Sequence, residues 1–150
     1  MSNSFSTKTE HTLIGQLTSR QSRALRTHLI VAMHQVGMDD IDLAHGDVLN
    51  VLYKHGRTTM TELARYSHRS KATISVLVDK LKRLGYVTSV VNEMDARSNF
   101  VQLTKKGEDC REKFEKISDQ MDDKIRVALT ADEIATLQDL MEKVCLCLEK

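Results

Sequence analysis

The stretch Ser70-Lys71-Ala72-Thr73, continued by Ser75 and Val76, holds the residue types best suited to recognition chemistry. Lysine supplies a point-charge donor, and the serine and threonine hydroxyls donate or accept. Interleaved with the small apolar Ala72 and Val76, these groups can bond polar edges and touch methyl groups on one target. A second set stands at Asp95-Ala96-Arg97-Ser98, where one guanidinium lies near one carboxylate. Bond-making chemistry has no comparable basis. The six histidines, His11, His28, His34, His45, His55 and His68, form no H-E-x-x-H pattern, and no phosphate loop or nucleophile–base pair is present. Cys145 and Cys147 are two apart, so on one helix they diverge by about 200° and are badly placed to chelate one ion. Cys110 reads as a small core residue, and three late cysteines do not make a secreted disulfide framework. The expectation is a protein that is not an enzyme, with no metal and no cofactor.

The elements that must position these groups follow from periodicity. Apolar residues at three- and four-residue steps predict a long helix over His11–Val36, with His28 as an interior histidine on its apolar side. Gly37 ends it, and Asp39, Asp40 and Asp42 form an acidic connector. A second helix runs over Ala44–Lys54 and stops at Gly56. Thr59-Met60-Thr61-Glu62 is a T-x-x-E capping box that opens a short helix to about Tyr66. Ser70 is the next N-cap. Ile74, Leu77, Val78 and Leu81 then face a core, which turns Lys71, Ala72, Thr73, Ser75 and Val76 away from it. Lys80, Lys82 and Arg83 suit the negative end of that helix as solvated charges, with contact to a target as the alternative, and Gly85 follows. Tyr86–Val91 and Phe100–Leu103 read as a hairpin around a polar tip. After Gly107 the helical period returns, and Thr130-Ala131-Asp132-Glu133 caps a last helix. There Ile134, Leu137, Met141, Val144 and Leu148 step like a coiled-coil seam.

Charge is distributed unevenly. Between Gly56 and Lys106 ten Lys and Arg stand against four Asp and Glu, a net of +6. The rest carries twelve against 17, a net of −5, so the whole chain is near neutral at +1. A basic middle between acidic ends predicts one anion-facing surface. The polar start, Met1–Glu10, lacks the apolar core of a signal peptide, and no apolar run reaches the roughly 20 residues that span a bilayer. A cytoplasmic location without membrane contact is the expectation.

Helix, short helix, turn, helix and hairpin in that order make a winged helix-turn-helix. The fold class is therefore mainly α with a small β wing. A helix fits the major groove of B-DNA with its N-terminal residues at the base edges. A hairpin tip can reach the adjacent minor groove, whose negative potential suits an arginine.

The pieces Thr61-Glu62-Leu63-Ala64, Leu77-Val78-Asp79-Lys80-Leu81, Leu84-Gly85-Tyr86-Val87, Asp95-Ala96-Arg97-Ser98 and Leu103-Thr104-Lys105-Lys106-Gly107 resemble the MarR family of regulators. That resemblance covers nearly the whole chain. It implies a homodimer, held by residues 1–42 and 107–150, that presents a DNA-binding lobe over 43–106 to a pseudo-palindromic operator. It further implies that Ser70, Lys71, Ala72, Thr73, Ser75 and Val76 line the major groove, and that Arg97, oriented by Asp95, enters the minor groove. Double-stranded DNA, a second copy of the chain and a small-molecule effector are the implied partners, and repression the usual outcome. Ala96 and Val76 stand where the family often has basic residues. From the residues themselves, Arg97 serves either the groove or a bond with Asp95. A winged-helix dimer that binds another protein and not DNA is the alternative.

Overall fold

The computed structural model describes residues 6–95 and 97–149; residues 1–5, Ala96 and Lys150 lie outside it. The chain forms α1 (Ser6–Gln35), α2 (Leu43–His55), β1 (Thr58–Thr59), α3 (Met60–Tyr66), α4 (Lys71–Arg83), β2 (Val87–Val91), β3 (Asn99–Leu103), α5 (Lys105–Asp109), α6 (Arg111–Ala128) and α7 (Ala131–Leu148). It divides into two compact units, residues 1–114 and 115–150. The fold is mainly helical with one small antiparallel sheet, as the sequence pattern predicts.

The core of the first unit gathers Val48, Leu49 and Leu52 of α2, Leu63 of α3, Ile74, Val78 and Leu81 of α4, and Val87 and Val101 of the sheet. Burying each such side chain is worth roughly 1.5–3 kcal/mol, so this cluster fixes the relative placement of α2, α3 and α4. The sheet has the order β1-β3-β2. Val87 pairs with Leu103, Ser89 with Val101 and Val91 with Asn99. Its third strand is only two residues, Thr58 and Thr59 against Val101 and Phe100, too short for a period to show.

α2 opens on a capping box the T-x-x-E pattern does not describe. Asp42 accepts the Ala44 amide at 2.9 Å, and its own amide donates to Nδ1 of His45 at 3.3 Å. Burial would raise the Asp42 carboxyl, but the charge and hydrogen bonds of His45 outweigh it and hold the pKa below the ordinary value. The connector is therefore structural. Asp40 also accepts the Tyr86 hydroxyl at 2.8 Å, tying the start of the wing to the α1–α2 link.

His28 is exposed, contrary to the interior position expected from periodicity. Of the side chains described in α1, only Met33 is buried, because the apolar stripe before it finds no cover within a single chain. Cys110 is buried, as expected, and burial pushes its thiol up in pKa, away from reactivity. Cys145 and Cys147 are exposed.

Gly107 is a packing residue and not a breaker. Helix resumes at Lys105, with Thr104 as its N-cap, and Gly107 lies inside α5. A Cβ at this position would sit 2.2 Å from the Tyr86 carbonyl oxygen and 3.0 Å from Leu103. Backbone cannot yield as a flexible side chain does, so Gly107→Ala should destabilise the fold by about 3 kcal/mol, the upper end for overpacking. Urea denaturation reads this directly, and wild-type stability in the variant would show that the α5–β2 approach is looser than described.

Candidate nucleic-acid interface

Local chemistry builds the helix-turn-helix from its caps. The Thr59 amide donates to Oε2 of Glu62 at 2.8 Å, and the Glu62 amide donates back to Oγ1 of Thr59 at 3.3 Å. The Thr59 amide and the Thr59 hydroxyl, at 2.9 Å, both donate to the carboxylate, favour its charged form and hold Glu62 below the ordinary carboxyl pKa. The turn that follows passes through His68 at φ +52°, a left-handed conformation that histidine tolerates better than branched residues. Arg69 donates to Asp47 at 2.7 Å and pins this turn to α2. Ser70 then caps α4, accepting the Thr73 amide at 3.1 Å, with the two hydroxyls 2.9 Å apart.

With Ile74, Leu77, Val78 and Leu81 packed inward, Ser70, Lys71, Ala72, Thr73, Ser75 and Val76 are all exposed, Val76 to 68%. Gly85, at φ +80°, turns the chain after α4 into the wing, a conformation costly for any residue with a Cβ. The wing tip is a folded turn. Asp95 accepts the Arg97 amide at 3.0 Å and the Ser98 hydroxyl at 3.2 Å. The carboxylate thus holds Arg97 through its backbone, and the Arg97 side chain is exposed.

α3, α4 and the wing enclose one open cleft of about 670 Å3. Of the residues singled out in the sequence, Lys71, Ser75, Asp95 and Arg97 line it together. Ser70, Ala72, Thr73 and Val76 lie on the exposed side of α4 but outside that lining. Sequence reasoning missed Thr61, Lys82 and Asn92, which also line the cleft. Lys82 had a signal: Lys71, Ser75, Val78 and Lys82 continue one stripe at helical spacing, so it is not merely a helix-terminal charge. Thr61 and Asn92 carried none, because only the packing of α3 on α4 and the return of the folded wing bring them to the cleft. Three cations, Lys71, Lys82 and Arg97, share the cleft with Asp79 and Asp95, and Asp95 is occupied within the wing.

The described MarR family model matches residues 39–98, the span from the acidic connector through the wing tip. Over that span, 60 of the chain's 150 residues, the chain is similar to the MarR family. It is 25% identical over 127 residues to the HTH-type transcriptional regulator MhqR of Bacillus subtilis, covering 84% of this chain and 85% of that protein. A mutant MarR from E. coli complexed with operator DNA superposes with a TM-score of 0.78 at 25% identity, over 90% of this chain and 95% of that one. A MarR family regulator from Streptomyces coelicolor in complex with DNA shares the fold at a TM-score of 0.83 and 23% identity, over 95% and 89% of the two chains. These similar proteins are transcriptional regulators, two of them in complex with DNA, and the protein-only alternative has no support among them. The family is one of regulators and not of enzymes. No helix among the described residues is long and apolar enough to cross a membrane.

Proposed function

We propose that this protein is a MarR-family DNA-binding transcriptional regulator, acting in the cytoplasm as a homodimeric repressor on a pseudo-palindromic operator. Residues 43–106 form the reading lobe, and 1–42 with 107–150 hold the dimer. The α4 face of Ser70, Lys71, Ala72, Thr73, Ser75 and Val76 enters the major groove. Lys71 donates to guanine or phosphate, the hydroxyls bond either, and Ala72 or Val76 meets a thymine methyl. The free amides of the first turn, at the positive end of the helix, favour a phosphate beside Ser70. Arg97 enters the minor groove on a turn fixed by Asp95. One observation carries this reading: Lys71, Ser75 and Arg97, from two separate elements, line the same cleft.

A small-molecule effector would release the operator by favouring a lobe separation that does not match one DNA turn, about 34 Å. It can do so only by its difference in affinity for the two separations.

The test is a gel shift on the promoter of the protein's own gene, repeated across salt. The wild type should be retained specifically, with log affinity falling linearly against log salt. Arg97→Ala should bind about tenfold to a hundredfold more weakly, the range of one lost groove contact, while remaining dimeric by sedimentation. Equal affinity would refute the minor-groove role, and no retention of the wild type even at low salt would refute DNA binding.

A further inference from the structure

The wing tip carries a feature that phosphate attraction does not explain. From Val87 to Leu103 the only charged residues are Glu93, Asp95 and Arg97, a net of −1. Yet it also presents apolar side chains: Met94 is 95% exposed, and Val91 just before the turn is 69% exposed. Turn tips are ordinarily built from Gly, Asn, Asp, Ser and Pro, so a fully solvated methionine has no role in forming this one.

Nor is the turn loose. Asn92, only 8% exposed, braces it from inside. Its Oδ1 accepts the Met94 amide at 3.0 Å, and its Nδ2 donates to Oγ of Ser98 at 3.0 Å. The entry and the exit of the tip are thereby clamped by one side chain. The Asp95 amide donates to the Asn92 carbonyl at 3.2 Å, and the Ser98 amide to the Asp95 carbonyl at 3.1 Å. Asn92, Asp95 and Ser98 bond one another, and Met94 and Arg97, three residues apart, are exposed beside Glu93. A braced turn loses little further entropy when it docks, so what it presents is presented for binding.

We propose that the Asn92-braced turn presents Met94 as an apolar wedge to the DNA minor groove beside Arg97, giving the wing a sequence preference that does not depend on charge. The proposal rests on the DNA-reading role above. Methionine is unbranched and polarisable and fits irregular gaps. Apolar wedges of this kind part a base step, and pyrimidine–purine steps part most easily. The wing therefore selects a deformable step at its contact position, while Arg97 senses groove potential.

The experiment selects duplexes from a random 30-base-pair pool with the wild-type protein, then titrates the best duplex against variants by fluorescence anisotropy at several salt concentrations. Met94→Ala and the near-isosteric Met94→Gln should each weaken binding about tenfold, as expected for losing one buried apolar side chain. Met94→Leu should bind as the wild type does. The salt slope should stay unchanged in all three, whereas Arg97→Ala should lower it by about one. Exchanging the pyrimidine–purine step of the selected duplex for a stiff A-tract should abolish the difference between wild type and Met94→Ala. Wild-type affinity in both Met94→Ala and Met94→Gln, or a salt slope that shifts with them, would overturn the wedge while leaving DNA recognition intact. Failure of the wild type to enrich any duplex would remove the DNA-reading role itself.

Discussion

Leu137→Glu combined with Met141→Glu should leave the protein folded and monomeric. Both side chains belong to a stripe with Ile134, Val144 and Leu148, and in the isolated chain Leu137 is 39% and Met141 45% exposed. No residue of α7 is buried, although its stepping is that of a packed helix. If a second copy covers this stripe, each substitution places an unpaired carboxylate in an apolar seam, at a cost of roughly 3–5 kcal/mol apiece. Two per protomer exceed what an interface of ordinary size withstands. Ala135, turned about 160° from Leu137 on the same helix, is the control, and Ala135→Glu should leave the dimer untouched. The loss should carry through to DNA. A monomer engages one half-site and forfeits the gain from tethering two lobes, about a hundredfold or more. Sedimentation equilibrium decides the first part, and persistent dimers in the double variant would place the association surface elsewhere.

The second large effect concerns α4. Ser75→Glu should reduce operator affinity by at least a hundredfold, because like charge set against DNA costs several kcal/mol and acts in both protomers. Ser75 is exposed and faces away from the core, and glutamate is the better helix former, so stability should stay within about 0.5 kcal/mol of the wild type. The separation of the two readouts is the point. A variant that melts normally but no longer shifts operator DNA locates the reading surface on this face. A Ser75→Glu protein that binds as before would move it away from α4.

α4 was legible because its signals are local. Ser70 could be recognised as a cap, the Thr59–Glu62 box as a helix start, and the Ile74-Leu77-Val78-Leu81 stripe as a buried side, each within a turn or two of chain. The capping of α2 by Asp42 and His45 escaped because histidine in that role lies outside the usual box. β1 escaped for want of length. Gly107 lies within α5 and not at the helix boundary its sequence context suggests, since a glycine that admits a close backbone and one that ends a helix look alike until the Tyr86 carbonyl is seen beside it. The stripe on α1 suggests an interior place for His28, but it reports which side of α1 is apolar, not whether this chain covers it.

The amino-acid order alone settled the courses of α2, α3, α4 and α7, the caps of α3, α4 and α7, the direction in which α4 turns its polar side and the position of the wing, because each depends on backbone preferences and on the near-neighbour spacing of apolar groups. Only the folded chain decided which of those polar groups meet. Lys82 and Thr61 join Lys71, Ser75 and Arg97 in one cleft because β3 returns antiparallel beside β2 and the shared core presses α3 and α4 together. Asn92 becomes the brace of the wing because its amide lies within reach of Ser98 across the tip. Contacts between residues far apart in sequence, or across a turn, are set by packing, and packing leaves no periodic mark in the sequence.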